Sequence, residues 1–257
     1  MGDISVIGCG NMGGALVRGL SRSGEHTITA CDVNEQALDD IEEYCATTTT
    51  DIGAAAESTV VFVVVKPDLT ETVVDELDLS AEQTLVSIAA GVPTTALEPL
   101  TDASVVRVMP NLAAETGDMA AAVTGELTDD VADILDDVGV FVEVDEAQMH
   151  ISTAVNGSGP AFVFYFLQAM ANAGVAGGLG HDEARTLAAQ TFKGAAETVL
   201  RSDESIDDLI EDVCSPNGTT IEGMEVLRES TIDETIGDAV AAAERRSREL
   251  AGEGDDE

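Results

Sequence analysis

No tryptophan occurs in this chain of 257 residues, and two tyrosines with six phenylalanines bring its aromatic content to only 3%. Lysine is as scarce, with Lys66 and Lys193 alone. Eleven Lys and Arg stand against 50 Asp and Glu, a formal charge of −39. That excludes nucleic acid as an expected partner, because binding a phosphate backbone needs clustered cations. Acidity with few aromatics marks disorder in some chains, but 44% hydrophobic residues in continuous periodic patterns indicate folded domains. The acid therefore belongs on the surface. It repels itself at low ionic strength and is screened in molar salt, where the Debye length is about 3 Å. The expectation is a protein adapted to high salt.

Paired cysteines are missing too. Cys9, Cys31, Cys45 and Cys214 are scattered without a C-x-x-C pair, and a strand pattern begins at Asp3 with no signal sequence ahead of it. Both point to a reducing cytoplasm. No metal-ligand spacing is visible, and His26, His150 and His181 stand beside no partner pattern, so all three are expected to be structural. The stretch 160–180 carries no charge, but Gln168, Asn172 and its glycines interrupt it and its flanks are acidic. That pattern argues against a membrane span and for burial in a helix bundle or a subunit interface.

What is present is an ordered alternation. Short β-branched runs at 4–7, 27–31, 60–65, 85–88, 105–108, 120–123 and 140–144 alternate with helical patterns near 12–22, 34–44, 69–77 and 128–138. Runs with so little internal polarity predict a parallel sheet covered on both faces. After about residue 145 the strand signal stops. Helical patterns follow at 147–156, 160–175, 182–200, 205–213, 219–229 and 232–250, separated by glycine, proline and polar residues. Ala184, Leu187, Ala188, Thr191, Ala195 and Val199 recur as one apolar stripe, and 252–257 is expected to be a frayed acidic tail.

Directly after the first run stands Gly8-Cys9-Gly10-Asn11-Met12-Gly13, a G-x-G-x-x-G that opens a helix. Its glycines permit a tight turn, close approach of backbone to a pyrophosphate, and close packing of helix on strand. Asp32, at the end of the second run and about 20 residues further on, completes the dinucleotide pattern. Its carboxylate can accept both hydroxyls of an adenosine ribose but repels a 2′-phosphate, and 33–45 holds no Lys or Arg, so NADH is expected over NADPH. The fold class is thus α/β: a Rossmann-type doubly wound sheet at 1–146, then an all-α domain at 147–257.

Other strand ends, where such a sheet places its ligand crevice, carry Val65-Lys66-Pro67, Ser87-Ile88-Ala89-Ala90-Gly91 and Arg107-Val108-Met109-Pro110-Asn111. Small residues at 89–91 would let a nicotinamide ring approach. In the helical half, Val213-Cys214-Ser215-Pro216-Asn217-Gly218-Thr219-Thr220-Ile221 joins a turn to an amphipathic helix. Pro216 fixes φ, Asn217 and Gly218 can reach positive φ, and Thr219 or Thr220 can cap the helix. Free N–H groups at such a start can converge on a carboxylate or phosphate.

Taken in order, these elements resemble the pyrroline-5-carboxylate reductase family. The resemblance also draws on Asn156-Gly157-Ser158-Gly159-Pro160-Ala161-Phe162 and Ala189-Gln190-Thr191, and spans almost the whole chain. It implies reduction of 1-pyrroline-5-carboxylate to L-proline by NADH or NADPH, and a homodimer intertwined through the helical domain, often built into larger rings. It also implies that Ile7, Gly8, Cys9, Gly10, Asn11, Met12, Val64, Val65, Lys66, Pro67, Ile88, Ala89 and Ala90 line the cofactor, joined by Asp32, Met109 and Asn111 from the strand-end pattern. Ser215, Gly218, Thr219 and Thr220 would hold the substrate carboxylate, with Thr220 near the imine nitrogen as the catalytic hydroxyl.

Three positions depart from the family pattern: Asn217-Gly218 replaces a pair of glycines, Asp32 replaces a small hydroxyl residue common there, and Asp51 stands where a cofactor-contacting Asn would. Two other readings remain. A β-hydroxyacid dehydrogenase has a similar finger and needs a lysine in its second domain, for which Lys193 is the candidate. A dinucleotide sensor without turnover would have no need of the 215–221 turn.

Overall fold

The computed structural model describes residues 2–252. In chain order the first part contains β1 (Gly2–Ile7), α1 (Asn11–Ser21), β2 (His26–Cys31), α2 (Glu35–Asp39), β3 (Thr47–Thr49), α3 (Ile52–Ala55), β4 (Val60–Val63) and α4 (Pro67–Glu76). It continues with β5 (Thr84–Ser87), α5 (Thr94–Leu97), β6 (Ser104–Met109), β7 (Met119–Gly125), α6 (Asp129–Asp136) and β8 (Gly139–Glu143). The helical part is α7 (Met149–Ser152), a π-turn over Thr153–Gly157, α8 (Gly159–Ala176), α9 (His181–Arg201), α10 (Ile206–Val213), α11 (Thr219–Arg228) and α12 (Ile232–Leu250).

The eight strands form one sheet in the order β3-β2-β1-β4-β5-β6-β7-β8. Alternate residues feed opposite faces, as a strand's twofold period requires. Ile4, Val6, Val60, Phe62, Val86, Val106 and Val108 enter one core with Leu16, Val17 and Leu20 of α1 and Ile134 of α6. Ile7, Val61, Val63, Leu85 and Val105 enter the other with Val74 of α4 and Leu97 of α5. Each such buried aliphatic side chain contributes about 1.5–3 kcal/mol over exposure, so the double-sided sheet rests on valine, isoleucine and leucine, with Phe62 fully buried and Phe141 of β8 packed partly buried against the same core.

The sheet is not wholly parallel, which corrects the sequence expectation. β7 runs antiparallel to β6, pairing Met109 with Ala122 and Val106 with Gly125. Only a short 3-10 turn, Leu112–Thr116, joins them, whereas a parallel crossover needs about a dozen residues or more. β3, α3 and α5 were not expected. β3 is Thr47-Thr48-Thr49, with no apolar alternation to betray it. The pattern expected over 34–44 breaks after Asp39, because Ile41 turns fully into the core and a 3-10 turn follows. β4 stops at Val63, so Val64 and Val65 leave the sheet.

By contact the chain divides into two compact units, one of residues up to Ser158 with those from Val240 onward, the other Gly159–Ala239. By contact, the change from one to the other falls after Ser158. Residues 146–157 belong to the sheet because they are fastened to it. Arg107 of β6, 1% exposed, donates from Nη1 to Glu146 Oε1, and Asn156 Nδ2 donates to Met109 O at 2.6 Å and Ala120 O at 2.9 Å. Leaving the buried Arg107 charge without its partner typically costs about 3–5 kcal/mol, whereas Glu146, 36% exposed, can still be hydrated.

In the helical unit, α8 packs on α9 where Gly174 meets Ala184, a Cβ on the glycine falling 3.3 Å from the alanine's. Of the stripe expected on α9, only Ala184 and Ala188 are buried; Leu187 and Val199 are exposed. Nor is 160–180 buried within one chain: α8 has no buried residue, and Phe164 and Tyr165 are 68% and 72% exposed. Among the described residues no helix is long and apolar enough to cross a membrane. The tail expected at 252–257 lies outside the described residues beyond Gly252.

One close approach fixes α1 in place. A Cβ on Gly19 would sit 2.2 Å from Ala114 O in the turn before β7. Gly19→Ala is expected to cost about 1–3 kcal/mol, lowering Tm by roughly 3–10 °C for a chain of this size. Calorimetry checks this, and an unchanged Tm would show that the contact is absent in solution.

Candidate active site

The strand order reverses at β1, which has β2 on one side and β4 on the other. At such a switch point the carboxyl ends of the strands open a crevice. Backbone hydrogen bonds line up what stands there: Gly8 N donates to Cys31 O at 2.8 Å, Val64 N to Ile7 O at 2.7 Å and Ile88 N to Val63 O at 3.0 Å. The glycine finger, the Val64–Pro67 exit from β4 and the start of the 88–91 loop therefore form one row. They sit close together. A Cβ on Gly8, whose φ is +94, would lie 2.5 Å from Val64 O and 3.0 Å from a Val65 methyl.

The finger is shaped for an anion. A Cβ on Gly13 would fall 1.9 Å from Gly8 O, so this glycine lets α1 start against the turn, while a Cβ on Gly10 would meet nothing within 4 Å. Gly10 caps α1 without any side-chain hydrogen bond, leaving the first-turn N–H groups to an outside acceptor. Beside it is a cavity of about 260 Å³ lined by Cys9, Gly10, Asn11, Gly14, Arg18, Asn34 and their neighbours. Open space at Gly10, free amides and an adjoining cavity fit a dinucleotide's pyrophosphate and adenosine.

Asp32 is fixed by two backbone donors, Cys9 N to Oδ2 at 2.6 Å and Asn34 N to Oδ1 at 2.8 Å. It staples the finger to the end of β2. The absence of Lys and Arg from 33–45 leaves out Arg18, which reaches the same cavity from α1 with its guanidinium 5.8 Å from the Tyr44 ring centroid. The spacing of Asn11, Gly14 and Arg18 on one helical face was the signal that could have found it.

Other expected residues divide. Ala89 is buried and Ile88 and Ala90 are half-buried in the loop after β5. Lys66 is exposed and Pro67 opens α4. Met109 is buried, and Asn111 is spent within the protein, its Nδ2 donating to Asn156 O at 3.2 Å and its Oδ1 accepting from Ala113 N at 3.1 Å. These two shape the loop with their side chains. Asp51 caps α3, accepting from Gly53 N at 3.0 Å. His26 lies 2.7 Å from Asp137 and His150 3.0 Å from Ser247 Oγ, while His181 opens α9.

In the helical unit, Gly218 N donates to Ser215 O at 2.9 Å, closing a turn with Pro216 and Asn217 at its corners. Asn217 has φ 57, the one non-glycine residue at positive φ among the described residues, as the third position of a type II turn requires. Gly218, not Thr219 or Thr220, is the N-cap of α11, and no side chain caps it. Both threonines already lie in the helix. A Cβ on Gly218 would be 2.4 Å from Ser215 Oγ, so the hydroxyl sits directly at the bare helix start. Thr220 also lines an apolar cavity of about 330 Å³ between α9, α10 and α11, with Cys214 and Met224. Lys193 lies elsewhere, exposed on a groove of α9.

The thiols are subdued. Burial, with the Asp32 carboxylate adding to it, pushes Cys9 up to about 12, and burial pushes Cys45 up to about 11. The folded state therefore holds protons that the unfolded chain releases above about pH 9. This contribution to stability is complete below that pH and is lost as pH rises toward 11–12. Tm is expected to fall above pH 9, and the double variant Cys9→Ala with Cys45→Ala should flatten that fall; an equal slope in both would discount the thiols.

Comparison with known proteins follows the same division. A family model described as pyrroline-5-carboxylate reductase dimerisation matches residues 146–250, and one described as NADP oxidoreductase coenzyme F420-dependent matches 3–91. The pyrroline-5-carboxylate reductase of Methanosarcina acetivorans is 37% identical, covering 96% of this chain and 97% of its own. That of Escherichia coli is 34% identical, with 96% and 98% covered. The solved structure of the Coxiella burnetii enzyme superposes with a TM-score of 0.88 at 31% identity, covering 97% of this chain and 98% of that one. The Plasmodium falciparum enzyme, solved with NADP bound, gives 0.85 at 26% over the same shares. With sheet, finger and helical unit matched along nearly its full length, this chain belongs to the pyrroline-5-carboxylate reductase family.

Proposed function

We propose that this chain reduces 1-pyrroline-5-carboxylate to L-proline, hydride passing to the C=N carbon and a proton to the ring nitrogen. The observation that carries the reading is the Ser215–Gly218 turn, which brings a hydroxyl to an uncapped helix start in a chain that also holds a dinucleotide finger. A reduced nicotinamide dinucleotide, when bound, supplies the hydride. Gly8, Gly10 and the first amides of α1 hold its pyrophosphate, and Ala89 and Ala90 leave room for its ring.

The chain's own work is orientation and electrostatics. The N–H groups that open α11 and the Ser215 hydroxyl bind the substrate carboxylate, with the helix dipole adding about 0.3–1 kcal/mol. Thr220 donates to or relays the proton for the imine nitrogen. A protonated cyclic imine accepts hydride without a strong base, so the exposed Lys193 has no role. Asp32 favours NADH, its carboxylate opposing a 2′-phosphate against the attraction of Arg18. A second copy covers the apolar face of α8 in a homodimer, and dimers assemble into larger rings. The functional division into cofactor and substrate parts falls at 146, the protein is cytoplasmic, and its charge of −39 adapts it to high salt.

The deciding assay follows NADH and NADPH oxidation with 1-pyrroline-5-carboxylate in molar KCl and at low salt, identifying proline as product. Dinucleotide binding without turnover in high salt would sink the reductase reading, and full activity at low salt would remove the salt adaptation. Thr220→Val should lose about 10- to 10³-fold in kcat/KM while Lys193→Gln keeps wild-type activity; the reverse pattern would point to hydroxyacid chemistry. Asp32→Ser should shift both Kd and kcat/KM toward NADPH, and an unmoved ratio would strip Asp32 of that role.

A further inference from the structure

The loop after β5 is backed by the end of the last helix. Gly91 has φ +78, and a Cβ placed on it would lie 3.0 Å from both Cα and N of Ala251 and 3.1 Å from its Cβ. Ala251 continues the helical hydrogen bonding of α12, its N–H donating to Ser247 O and Arg248 O. One turn earlier, Ser247 Oγ lies 3.0 Å from His150 Nδ1, with the two residues 4% and 5% exposed. Met149, the neighbour of His150, is fully buried with Met109 and Ala122, and Ala90 packs against that cluster. Thus α7 grips the loop through Met149 and the helix end through His150, and Ala251 meets the loop directly at Gly91. All these residues belong to one compact unit.

We propose that the end of α12 together with the turn residue that follows it, from Ser247 to Ala251, is a positioning element for the nicotinamide end of the cofactor. It rests on the dinucleotide reading above. The segment Ala89-Ala90-Gly91 has no side chain long enough to hold itself, and Gly91 occupies a backbone region that other residues rarely adopt. Its shape is therefore imposed by what packs behind it. A loop fixed before binding saves the ordering cost that a loose one would incur on binding. The adenosine cavity is lined instead by residues of the finger, α1 and the α2 region, none of them in this set of contacts. The element consequently acts on one half of the dinucleotide.

Two ligands separate the halves: NADH carries the nicotinamide and ADP-ribose does not. Calorimetric Kd values for both, in molar KCl, are compared for the wild type, Ser247→Ala, Ser247→Thr and Ala251→Leu, each checked for a folded Tm above the assay temperature. Losing one buried hydrogen bond, or wedging the loop, is expected to weaken NADH by roughly 5- to 30-fold. ADP-ribose should stay within about twofold, and Ser247→Thr, which keeps the hydroxyl, should restore NADH affinity. Equal weakening of both ligands, or no change in either, would overturn the proposal while leaving the dinucleotide site in place. A wild type that binds neither ligand would overturn the underlying reading and the proposal with it. Should Ser247→Ala not fold, Ala251→Leu, at a partly exposed position near the helix end, decides the matter.

Discussion

Three backbone hydrogen bonds across the carboxyl ends of four strands govern the chemistry of this molecule: Gly8 to Cys31, Val64 to Ile7 and Ile88 to Val63. Because β1 stands where the strand order reverses, those bonds place the glycine finger, the β4 exit and the β5 loop side by side. Everything proposed for the cofactor depends on that row. The cores on the two faces matter to it through register, since Ile7 and Val63 feed one face while Val6 and Phe62 feed the other. A slip of one residue would send each into the wrong core.

The two units use their apolar residues differently. In the sheet unit most branched aliphatics are covered, with Val140 and Val142 of the edge strand β8 among the exceptions. In the helical unit α8, α10 and α11 have no buried residue in a single chain, and large side chains such as Phe164, Tyr165 and Leu200 face outward. Exposed apolar area of that extent marks an association surface, which agrees with the dimerisation description of the family model over 146–250. Association must also overcome the repulsion of two strongly acidic chains. The charge-free run at 160–180 keeps that repulsion off the face that needs covering, and salt screens the rest.

Much of this was legible in the residues themselves. The β1–α1 glycines, the alternating strands and most of the helical patterns were readable because each rests on short-range rules: period, cap and turn. What escaped reading was decided by the length of a connection or by distant partners. The direction of β7 follows from a connection too short to cross over. β3 is held by β2, not by any pattern in three threonines. Residues 146–157 read as the start of the helical part but are fastened to β6 and β7 by Arg107 and Asn156. Arg18 shares a helical face with Asn11 and Gly14, a local signal that was not used, and the fold then brings it beside Asn34. At the substrate turn, the positive φ of Asn217 was foreseen from residue type, whereas the cap fell on Gly218 because both threonines were already drawn into the helix.

The path of α12 has a consequence for how the chain is made. That helix begins in the helical unit and ends, from Val240 onward, in the sheet unit. The sheet unit is therefore discontinuous in sequence, and its final packing, including Ser247 on His150, requires residues 240–251 to have been synthesised. Domains that close on their own N-terminal segment fold during synthesis. Here the sheet precedes its own closing segment by the whole length of the helical unit, so the His150 contact forms only after Gly159–Ala239 has been made.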